Sequence, residues 1–425
     1  MIMKYLLCLL FFPIITVSQP ISSSGVYFED RLNWQDLLKK AKLENRYIFV
    51  DCYASWCKPC KEMDKNIFST EEVGSLFKDK LVSCKVKFDQ IEKDSINNFR
   101  NYSLAKYLQK QYSINSFPTY LFFNSEGILV EKIIGASKTV TEFLSKVNAA
   151  LDGKKQYYTL LALYKKGDRR KSLIQELVPG ALRVNDNEIS YEAHDLFVSA
   201  IDDPYSKQNL EIILRTISSS KNLGFKMLVE NGQKIEEILN DKERVKSKIM
   251  AVINYEMYNQ FIKNKGEDVE WKKIKKSIKG IFPSVANELM LKMKFEDSYR
   301  KKKWEEYGRN LIAYYDRYVS ILSKHEMFWM NNNLLVVFKY CNNKRTLQQA
   351  SVYSKKTIYR EIGKESPGPM DTYANLLYKA GDRDKAIKWE ERAIEIIKKE
   401  GHDSQLEAQF LQTLEKMKSN IPTWL

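Results

Sequence analysis

Histidine and cysteine are scarce in this chain of 425 residues, which has 3 and 6 of them. Its one Cys-x-x-Cys pair, Cys57 and Cys60, has no second such pair elsewhere, and His194, His325 and His402 lie far along the chain. Structural zinc needs four ligands, commonly supplied by two such pairs. Zinc at the pair is therefore disfavoured, and we expect neither a metal nor a separate cofactor there.

Long apolar runs are also scarce. After residue 18 no stretch is apolar enough for a membrane helix, which needs about 20 such residues. The first residues resemble an export signal, because Lys4 precedes an apolar run over residues 5–17 and Thr16-Val17-Ser18 supplies small residues for cleavage. Cys8 lies too early to become a lipid-modified terminus. A core strand is the alternative, but we predict a signal peptide over residues 1–18 and a periplasmic or secreted protein.

Acidic residues are outnumbered, since 69 Lys and Arg face 54 Asp and Glu, a formal charge of +15. Such an excess can attract nucleic acids or anionic membranes. The basic residues are nevertheless interspersed with acidic ones in helical stretches, and no groove-reading motif accompanies them. The pattern favours a solvated helical surface, and we expect no nucleic-acid partner.

The first third of the chain has the pattern of an α/β unit with helices on both faces of a sheet. Asn33 with Asp36 predicts a helix cap, and Ser69 with Glu72 predicts a capping box. Predicted strands cover residues 26–28, 47–53, 81–88, 117–123 and 128–134, the last two as a hairpin. Predicted helices follow Asn33, the cysteine pair and Ser69, and cover residues 99–112 and 139–151.

From residue 153 to the end the pattern is helical, with almost no strand candidates. LYKKGDRRKS at residues 163–172 is echoed by LYKAGDRDKA at 377–386, and each predicts two helices joined by a Gly-Asp turn. Helix pairs also fit residues 295–318 and 334–359. Recurring pairs suggest a stacked solenoid. A chance match within a helical bundle is the alternative.

The Cys57-Lys58-Pro59-Cys60 segment has the spacing of a redox pair at the start of a helix. Cys57 is expected at the exposed helix N-terminus, where unpaired N–H groups and the helix dipole favour a thiolate. Lys58 adds positive charge, and Pro59 is tolerated in the first turn. Cys60 lies one turn on and can resolve a mixed disulfide. A merely structural disulfide is the alternative, but so short a loop contributes little stability.

Trp56-Cys57-Lys58-Pro59-Cys60 resembles the active-site turn of thioredoxins, which carry Gly where Lys58 stands. The surrounding stretch VDCYASWCKPCKEMDKNIFS is similar to secreted thioredoxin-like domains related to the C-terminal domain of DsbD-type interchange proteins. The resemblance covers about residues 26–151. It implies a thioredoxin-like domain at 19–152, and residues 153–425 resemble tetratricopeptide (TPR-like) repeats only in a generic way.

The resemblance implies a role for each matching residue. Cys57 is the expected nucleophile and Cys60 the resolving thiol. Asp51 matches a buried carboxyl that carries the proton lost by Cys60, and Lys85 matches a lysine on the neighbouring strand that moderates it. The expected substrate-binding residues are Trp56, which would shield the pair, Lys58, Pro59, and Phe117 with Pro118, whose cis bond would expose backbone to the substrate. A plain structural role is the alternative for Asp51, Lys85 and Pro118.

Three further cysteines remain once Cys8 and the pair are set aside, namely Cys52, Cys84 and Cys341. If Asp51 and Lys85 face each other on adjacent strands, Cys52 and Cys84 point to the opposite face and lie diagonally, about 7–8 Å apart. That separation is too long for an unstrained bridge. We predict buried, unreactive thiols, with Cys341 as a packing residue.

The sequence thus favours a thiol-disulfide oxidoreductase that reduces or interchanges disulfides of exported proteins. An unidentified membrane or periplasmic electron donor would re-reduce it. The helical extension would bind partners, as a protein or peptide ligand on its repeats. Lys58 makes the pair more oxidising than that of ordinary thioredoxin, yet the resemblance is mainly to reductants. The alternative is a helical-repeat binding protein in which the thioredoxin-like domain is accessory.

Overall fold

The structure is a computed structural model that describes residues 25–29, 32–89, 96–263, 266, 269–319, 324–361, 364–400 and 404–424. The predicted signal peptide lies outside these residues. The chain divides into two compact units, Met1–Thr216 and Ile217–Leu425. The domain boundary predicted at residue 152 stays a prediction. Within the described residues no helix has the length and apolar character needed to cross a membrane.

The first unit contains a mixed four-stranded sheet in the order β2-β1-β3-β4. Its strands are β1 (Tyr47–Tyr53), β2 (Leu81–Lys87), β3 (Thr119–Phe123) and β4 (Leu129–Ile134). The β1 and β2 strands are parallel, whereas β3 is antiparallel to both β1 and β4. Four of the five predicted strands, including the hairpin, are confirmed, with bounds that differ by at most two residues.

Helices cover both faces of this sheet, as predicted. One face packs Val50, Cys52 and Cys84 against α1 and α4. The other packs Phe49 and Tyr120 against the remaining helices and a π-helix, Asp64–Phe68, that continues α2. The helices are α1 (Trp34–Glu44), α2 (Lys58–Met63), α3 (Glu71–Lys80), α4 (Ile96–Tyr112) and α5 (Val140–Leu151).

Local contacts confirm one of the two predicted helix caps. The Asp36 N–H donates to the Asn33 side chain at 3.1 Å, as expected of an N-cap. The predicted capping box is wrong, because Thr70 rather than Ser69 caps α3 and neither side chain bonds to that helix. Their hydroxyls instead donate to the carbonyls of the preceding turn, at Lys65 and Ile67. The chain therefore passes from the π-helix into α3 without a side-chain cap.

The predicted first strand at residues 26–28 is also absent from the sheet. The Val26 N–H donates to Phe68 O at 2.8 Å and the Glu29 N–H to Ser83 O at 2.7 Å. These two isolated bonds attach the segment to the π-helix and to β2. A ladder does not form, although the residues alternate as a strand would.

Five more helices complete the first unit, and the first of them packs against β4, at one edge of the sheet. The buried Glu131 of β4 accepts the Tyr157 N–H at 3.0 Å and pairs with Arg183 at 3.3 Å. This carboxylate ties the edge strand to α6 and α7. The helices are α6 (Tyr157–Lys165), α7 (Lys171–Arg183), α8 (Asn187–Glu192), α9 (His194–Ala200) and α10 (Lys207–Thr216).

The described residues of the second unit are helical apart from one short two-stranded sheet, β5 (Tyr359–Glu361) with β6 (Lys364–Glu365). Its core includes two aromatic-rich clusters, one around Leu311 and Leu334, the other around Met370 and Ile397. The predicted helix pairs at 295–318 and 334–359 correspond to α14–α15 and α16–α17. Its α-helices are α11 (Leu223–Leu239), α12 (Arg244–Met257), α13 (Trp271–Ile281), α14 (Ala286–Arg300), α15 (Trp304–Tyr318), α16 (Lys324–Tyr340), α17 (Lys344–Lys356), α18 (Pro367–Ala380), α19 (Arg383–Glu400) and α20 (Ser404–Lys418). A π-helix, Tyr258–Ile262, and a 3₁₀ turn, Pro283–Val285, interrupt them.

The two echoed sequence segments form the same turn. Gly167 and Gly381 have φ angles of +95° and +99°, in the left-handed region that favours glycine. In each turn the following Asp N–H reaches back to a helical carbonyl, at 3.1 Å from Asp168 to Leu163 and 2.9 Å from Asp382 to Leu377. The echo is therefore a repeated helix-turn-helix, while its TPR-like assignment stays a prediction.

Replacing Gly381 by alanine should destabilise the helical unit. A Cβ there would meet nothing closer than 3.7 Å, so the cost comes from the positive φ, about 1–2 kcal/mol. Urea titration followed by circular dichroism at 222 nm should show a lower midpoint. The control is Gly280→Ala within α13, where a Cβ meets nothing within 4 Å and the midpoint should rise or stay. Equal midpoints for both variants would contradict the strain argument.

Candidate active site

The cysteine pair lies where β1 gives way to α2. Cys57 is the N-cap of α2, and its Sγ accepts the Cys60 N–H at 3.2 Å. Pro59 lies in the first turn, where the sequence predicts it is tolerated. The two cysteines form a disulfide with their Cα atoms 5.4 Å apart. The structure is therefore that of the oxidised pair, held at a helix start.

The expectation that Cys57 is exposed is wrong for this oxidised form. Cys57 and Cys60 are only 2% and 4% exposed, because Ala54, Tyr53 and Phe117 pack around them. The helix N-terminus does face outward, since Lys58 is exposed, but the sulfur atoms turn inward. A partner must therefore approach the pair past the aromatic side chains around it, which we call the aromatic rim.

The aromatic rim is set by the loop before β3. The Phe117–Pro118 peptide bond is cis, as predicted. The Phe117 ring lies 5.9 Å from the Trp56 ring and 5.2 Å from the Phe88 ring, measured between centroids. Trp56 itself is 70% exposed. The structure thus brings Trp56, Phe117 and Pro118 together beside the disulfide, as the sequence predicts.

Asp51 and Lys85 are direct partners across the parallel β1 and β2 strands. Asp51 is 2% exposed, and its carboxylate lies 3.4 Å from the Lys85 ammonium. Burial raises the pKa of Asp51 to about 7, against the lowering effect of Lys85. The carboxyl therefore changes protonation near neutral pH, which a proton carrier requires.

Asp64 is a site residue that the sequence reasoning missed. Its carboxylate also pairs with Lys85, so that the lysine lies between two acids. The available signal was helical spacing, because Asp64 lies four residues after Cys60 and on the same side of the helix. The negative charge of Asp64 further raises the pKa of Asp51.

Aromatic rings enclose the Lys85 ammonium, which lies 4.9 Å from the Phe28 ring centroid, 5.4 Å from that of Tyr53 and 5.7 Å from that of Phe68. Cations are attracted to such ring faces. A cleft of about 370 Å³, lined by Lys85, Asp64 and Phe28 among others, opens beside it. The cleft gives solvent a route towards the Asp51–Lys85 pair.

Two buried oxygens near this pair lack hydrogen-bond partners among the described residues, Asp51 Oδ1 and Tyr120 Oη. Tyr120 lies opposite Asp51 in the β1–β3 register. Burial, with a contribution from Asp51, raises the pKa of the Tyr120 hydroxyl, which therefore stays protonated. Asp51 thus has one strong partner and little other stabilisation of its charge.

Lys58 is placed differently from the other predicted residues. Its side chain is 88% exposed, and its ammonium lies 4.0 Å from the Glu62 carboxylate one turn along α2. Glu62 offsets part of the positive charge that Lys58 brings to the helix start. Exposed pairs of this kind contribute little energy, so we expect a small effect on the cysteine pair.

The other cysteines are arranged as predicted. In the β1–β2 register Cys84 pairs with Val50 and Cys52 with Val86, which sets the two cysteines diagonally. Both are free and buried, as is Cys341. Burial raises the pKa of Cys52 well above its usual value and those of Cys84 and Cys341 to about 12. These thiols are protonated and unreactive in the folded protein.

Metal ligation gains no support from the geometry. In the part of the chain that the structure describes, no group of three or more His, Cys, Asp or Glu side chains could hold a metal ion. Asp51 and Asp64, in the same unit as the cysteine pair, both contact Lys85. The unit thus combines two sulfurs with a buried carboxyl whose pKa is about 7.

Comparisons with known proteins match the sheet-bearing part of the chain. A family model described as a thioredoxin-like domain matches residues 34–151. Thioredoxin H4 of Arabidopsis thaliana is 31% identical over 105 residues, which are 25% of this chain and 73% of that protein. The thiol:disulfide interchange protein DsbD of Photorhabdus laumondii is 32% identical over 113 residues, 26% of this chain. The chain spans only 18% of that DsbD.

Solved structures resemble the same part of the chain. A putative disulphide-isomerase from Bacteroides thetaiotaomicron is 31% identical, with 31% of this chain and 96% of that chain covered and a TM-score of 0.26. A structure described as DsbH oxidoreductase is 22% identical, with 32% and 92% covered and a TM-score of 0.28.

Replacing Asp51 by asparagine should stabilise the oxidised protein at alkaline pH. Because the folded pKa is about 7 and the unfolded one about 4, the unfolded chain releases the proton first as pH rises. The free energy of unfolding of the wild type therefore falls between those two pH values. The asparagine side chain has no such proton, so the variant should exceed the wild type by about 2–4 kcal/mol at pH 8 and by little at pH 4.

Urea titrations of both proteins at the two pH values measure this difference. Ser83→Ala, which removes a buried, non-titrating side chain from the neighbouring strand, is the matched control and should change the stability equally at both pH values. A constant difference between Asp51→Asn and wild type at all pH values would contradict the raised pKa.

The free cysteines should resist alkylation until the chain unfolds. Protein lacking residues 1–18 and kept oxidised should take up no iodoacetamide when native, because its free thiols are buried and protonated. In guanidinium without reductant, mass mapping should find label on Cys52, Cys84 and Cys341. Label on Cys341 alone would reveal a Cys52–Cys84 bridge and overturn the assignment.

Proposed function

We propose, because this chain belongs to the thioredoxin family, that its Cys57–Cys60 pair reduces or interchanges disulfides of exported proteins. The observation that carries the proposal is the disulfide at the start of α2, beside a cis-proline loop and in the same unit as a buried Asp51–Lys85 pair. Each part would supply one requirement of thiol–disulfide exchange. The helix start favours a thiolate, the cis-proline loop offers backbone against which a client can dock, and Asp51 can carry a proton.

The exchange begins when the Cys57 thiolate of the reduced protein attacks one sulfur of a client disulfide. A mixed disulfide forms, and the second client sulfur leaves as a thiolate. The Cys60 thiolate then attacks the Cys57 sulfur, releasing the other client sulfur and forming the Cys57–Cys60 disulfide. Two electrons pass from the pair to the client, which leaves as a dithiol.

The helix start favours Cys57 as the first nucleophile. The Cys60 N–H already donates to Cys57 Sγ in the oxidised protein, and this bond would stabilise a thiolate there. Cys60 follows within α2, next to Cys57, which suits a sulfur that attacks the Cys57 mixed disulfide within the protein. We infer that Cys57 is the attacking and Cys60 the resolving cysteine.

Asp51 would take the proton that Cys60 loses. Its pKa of about 7 lets it accept a proton at neutral pH, and the Lys85–Asp64 pair with the adjoining cleft connects it to solvent. Lys85 limits the rise of that pKa, so the carboxyl is not locked in its neutral form. Lys85 and Asp64 are therefore positioning residues in this scheme.

The location and the partners follow from the sequence and extend the proposal. The N-terminal signal-like residues support export to the periplasm or beyond. Re-reduction of the pair would need a dithiol electron donor in the membrane or periplasm. We propose that the helical region from residue 153 onward, whose repeated Gly-Asp turns support a TPR-like reading, binds client proteins or peptides. No cofactor beyond the Cys57–Cys60 disulfide is required.

Insulin reduction tests the redox proposal. With dithiothreitol as electron source, purified protein should accelerate precipitation of the insulin B chain. Cys57→Ser should lower the catalysed rate at least about a hundredfold, because the nucleophile is lost. Cys52→Ala is the matched control, a cysteine removed outside the pair, and should stay within about twofold of wild type. Equal rates for wild type and Cys57→Ser would end the proposal.

A trapping variant addresses the order of the two cysteines. In Cys60→Ala the mixed disulfide cannot be resolved, so clients should remain attached through Cys57 and be released by reductant. Cys57→Ala should capture far fewer, because Cys60 lies inside α2 and lacks the N-cap position that favours a thiolate at Cys57. The reverse ranking of the two variants would assign the attacking role to Cys60.

A further inference from the structure

We propose that a polar pocket on the far side of the cis-proline loop binds the client polypeptide next to its reacting cysteine. The pocket has a volume of about 410 Å³ and lies within the first unit. The end of α4, the loop before β3, strand β4 and the turn between α7 and α8 form its walls. The inference rests on the proposed function and names the residues that would give it substrate preference.

The pocket continues the loop that holds the active-site rim. Ser116 and Thr119 line it, and these residues flank Phe117 and Pro118 directly. Thr119 Oγ1 donates to Ser116 O at 2.8 Å, which fixes the loop as a compact turn. Phe117 packs against the cysteine pair, while Ser116 and Thr119 line the pocket. One short segment therefore borders both sites.

The two sites are linked through neighbouring residues, because Ser116 lines the pocket and Phe117 packs against the cysteine pair. Neighbouring Cα atoms are about 3.8 Å apart, so Ser116 lies one residue step from Phe117. An extended client advances about 3.3 Å per residue. A client side chain about two to four residues from the reacting cysteine would therefore reach the pocket while the cysteine lies at Cys57.

The lining chemistry fits a polar polypeptide better than a small apolar ligand. Ligand pockets for small molecules are lined predominantly by hydrophobic side chains. This pocket instead presents uncharged hydrogen-bonding side chains on several walls, from Gln111, Ser113, Asn115, Ser116, Asn185 and Asn187. Such groups can exchange hydrogen bonds with a peptide backbone and with polar side chains.

Lys132 supplies the one buried charge in the pocket lining. It is 7% exposed and donates to Tyr112 O at 3.3 Å, and burial lowers its pKa. An ammonium has three donors, so this bond leaves donors for a client carbonyl. Asp186 is already occupied by the Tyr157 hydroxyl at 2.6 Å and the Ile189 N–H at 3.2 Å.

Glu188 at the rim gives the pocket a charge preference. It is exposed and has no ion-pair partner among the residues that the structure describes. With Asp186 engaged and Lys132 buried, the accessible rim is negative. The favoured client segment therefore carries a lysine or arginine near its reacting cysteine.

The test compares two disulfides in single turnovers of the pre-reduced protein. One is dithiobis-nitrobenzoate, which has no peptide, and the other is a peptide whose cysteine carries the thionitrobenzoate group and is flanked by lysines. Asn187→Trp, which fills the rim of the pocket, should lower the ratio of the peptide rate to the dithiobis-nitrobenzoate rate about tenfold. Gln208→Trp, an equivalent substitution at an exposed site on α10, should leave the ratio unchanged.

A second variant examines the charge. Wild type should reduce the lysine-flanked peptide about threefold faster than a glutamate-flanked one, and Glu188→Lys should reverse this order. The pocket proposal would be overturned by three results together. Both disulfides are reduced, Asn187→Trp leaves the ratio of the two rates unchanged, and Glu188→Lys does not change the peptide preference. A wild type that reduces neither disulfide would instead refute the proposed redox function.

Discussion

The first unit depends on a carboxyl group held inside a sheet that is otherwise lined by aromatic and aliphatic side chains. Asp51 is buried on the face that carries Phe49 and Tyr120, and among the described residues only Lys85 forms an ion pair with it. A buried charge without full compensation costs stability. The strand register sets this arrangement, because β2 brings Lys85 opposite Asp51. The same register sends Cys52 and Cys84 to the other face. One alignment of two strands thus separates the Asp51–Lys85 pair from two inert thiols.

Much of this site could be predicted from local sequence. The β1 strand is a short apolar run with one acid, and its period of two residues assigns Asp51 and Cys52 to opposite faces. The cis-proline and the helix start follow from short motifs read within the thioredoxin resemblance. The burial of Cys57 could not be predicted, because Phe117, which packs against it, lies sixty residues further along the chain. Asp64 was missed for a similar reason, since its contact with Lys85 depends on the position of the Lys85 ammonium.

The edge of the sheet shows a second limit of sequence reasoning. A change from mixed to helical pattern near residue 153 suggests that the sheet-bearing part ends there. Yet α6 packs against the edge strand β4, and Arg183 of α7 pairs with it, within the same compact unit. Glu131 ties β4 to these helices, but a charged side chain in a strand is ordinarily predicted to be exposed to solvent. Only its partners, which are the Tyr157 N–H and Arg183, explain why it is buried.

Glu131 and Asp51 are held in different ways, although both are buried acids of one sheet. Burial raises the pKa of each. Glu131 accepts two backbone N–H bonds, from Lys132 at 2.9 Å and Tyr157 at 3.0 Å, besides its pairing with Arg183. Asp51 has one oxygen without any partner among the described residues. Hydrogen bonds to an ionised carboxylate favour its charged form and so oppose the rise in pKa that burial causes. Because Asp51 has fewer of them, its pKa reaches about 7, which suits the proton-carrying role proposed for it.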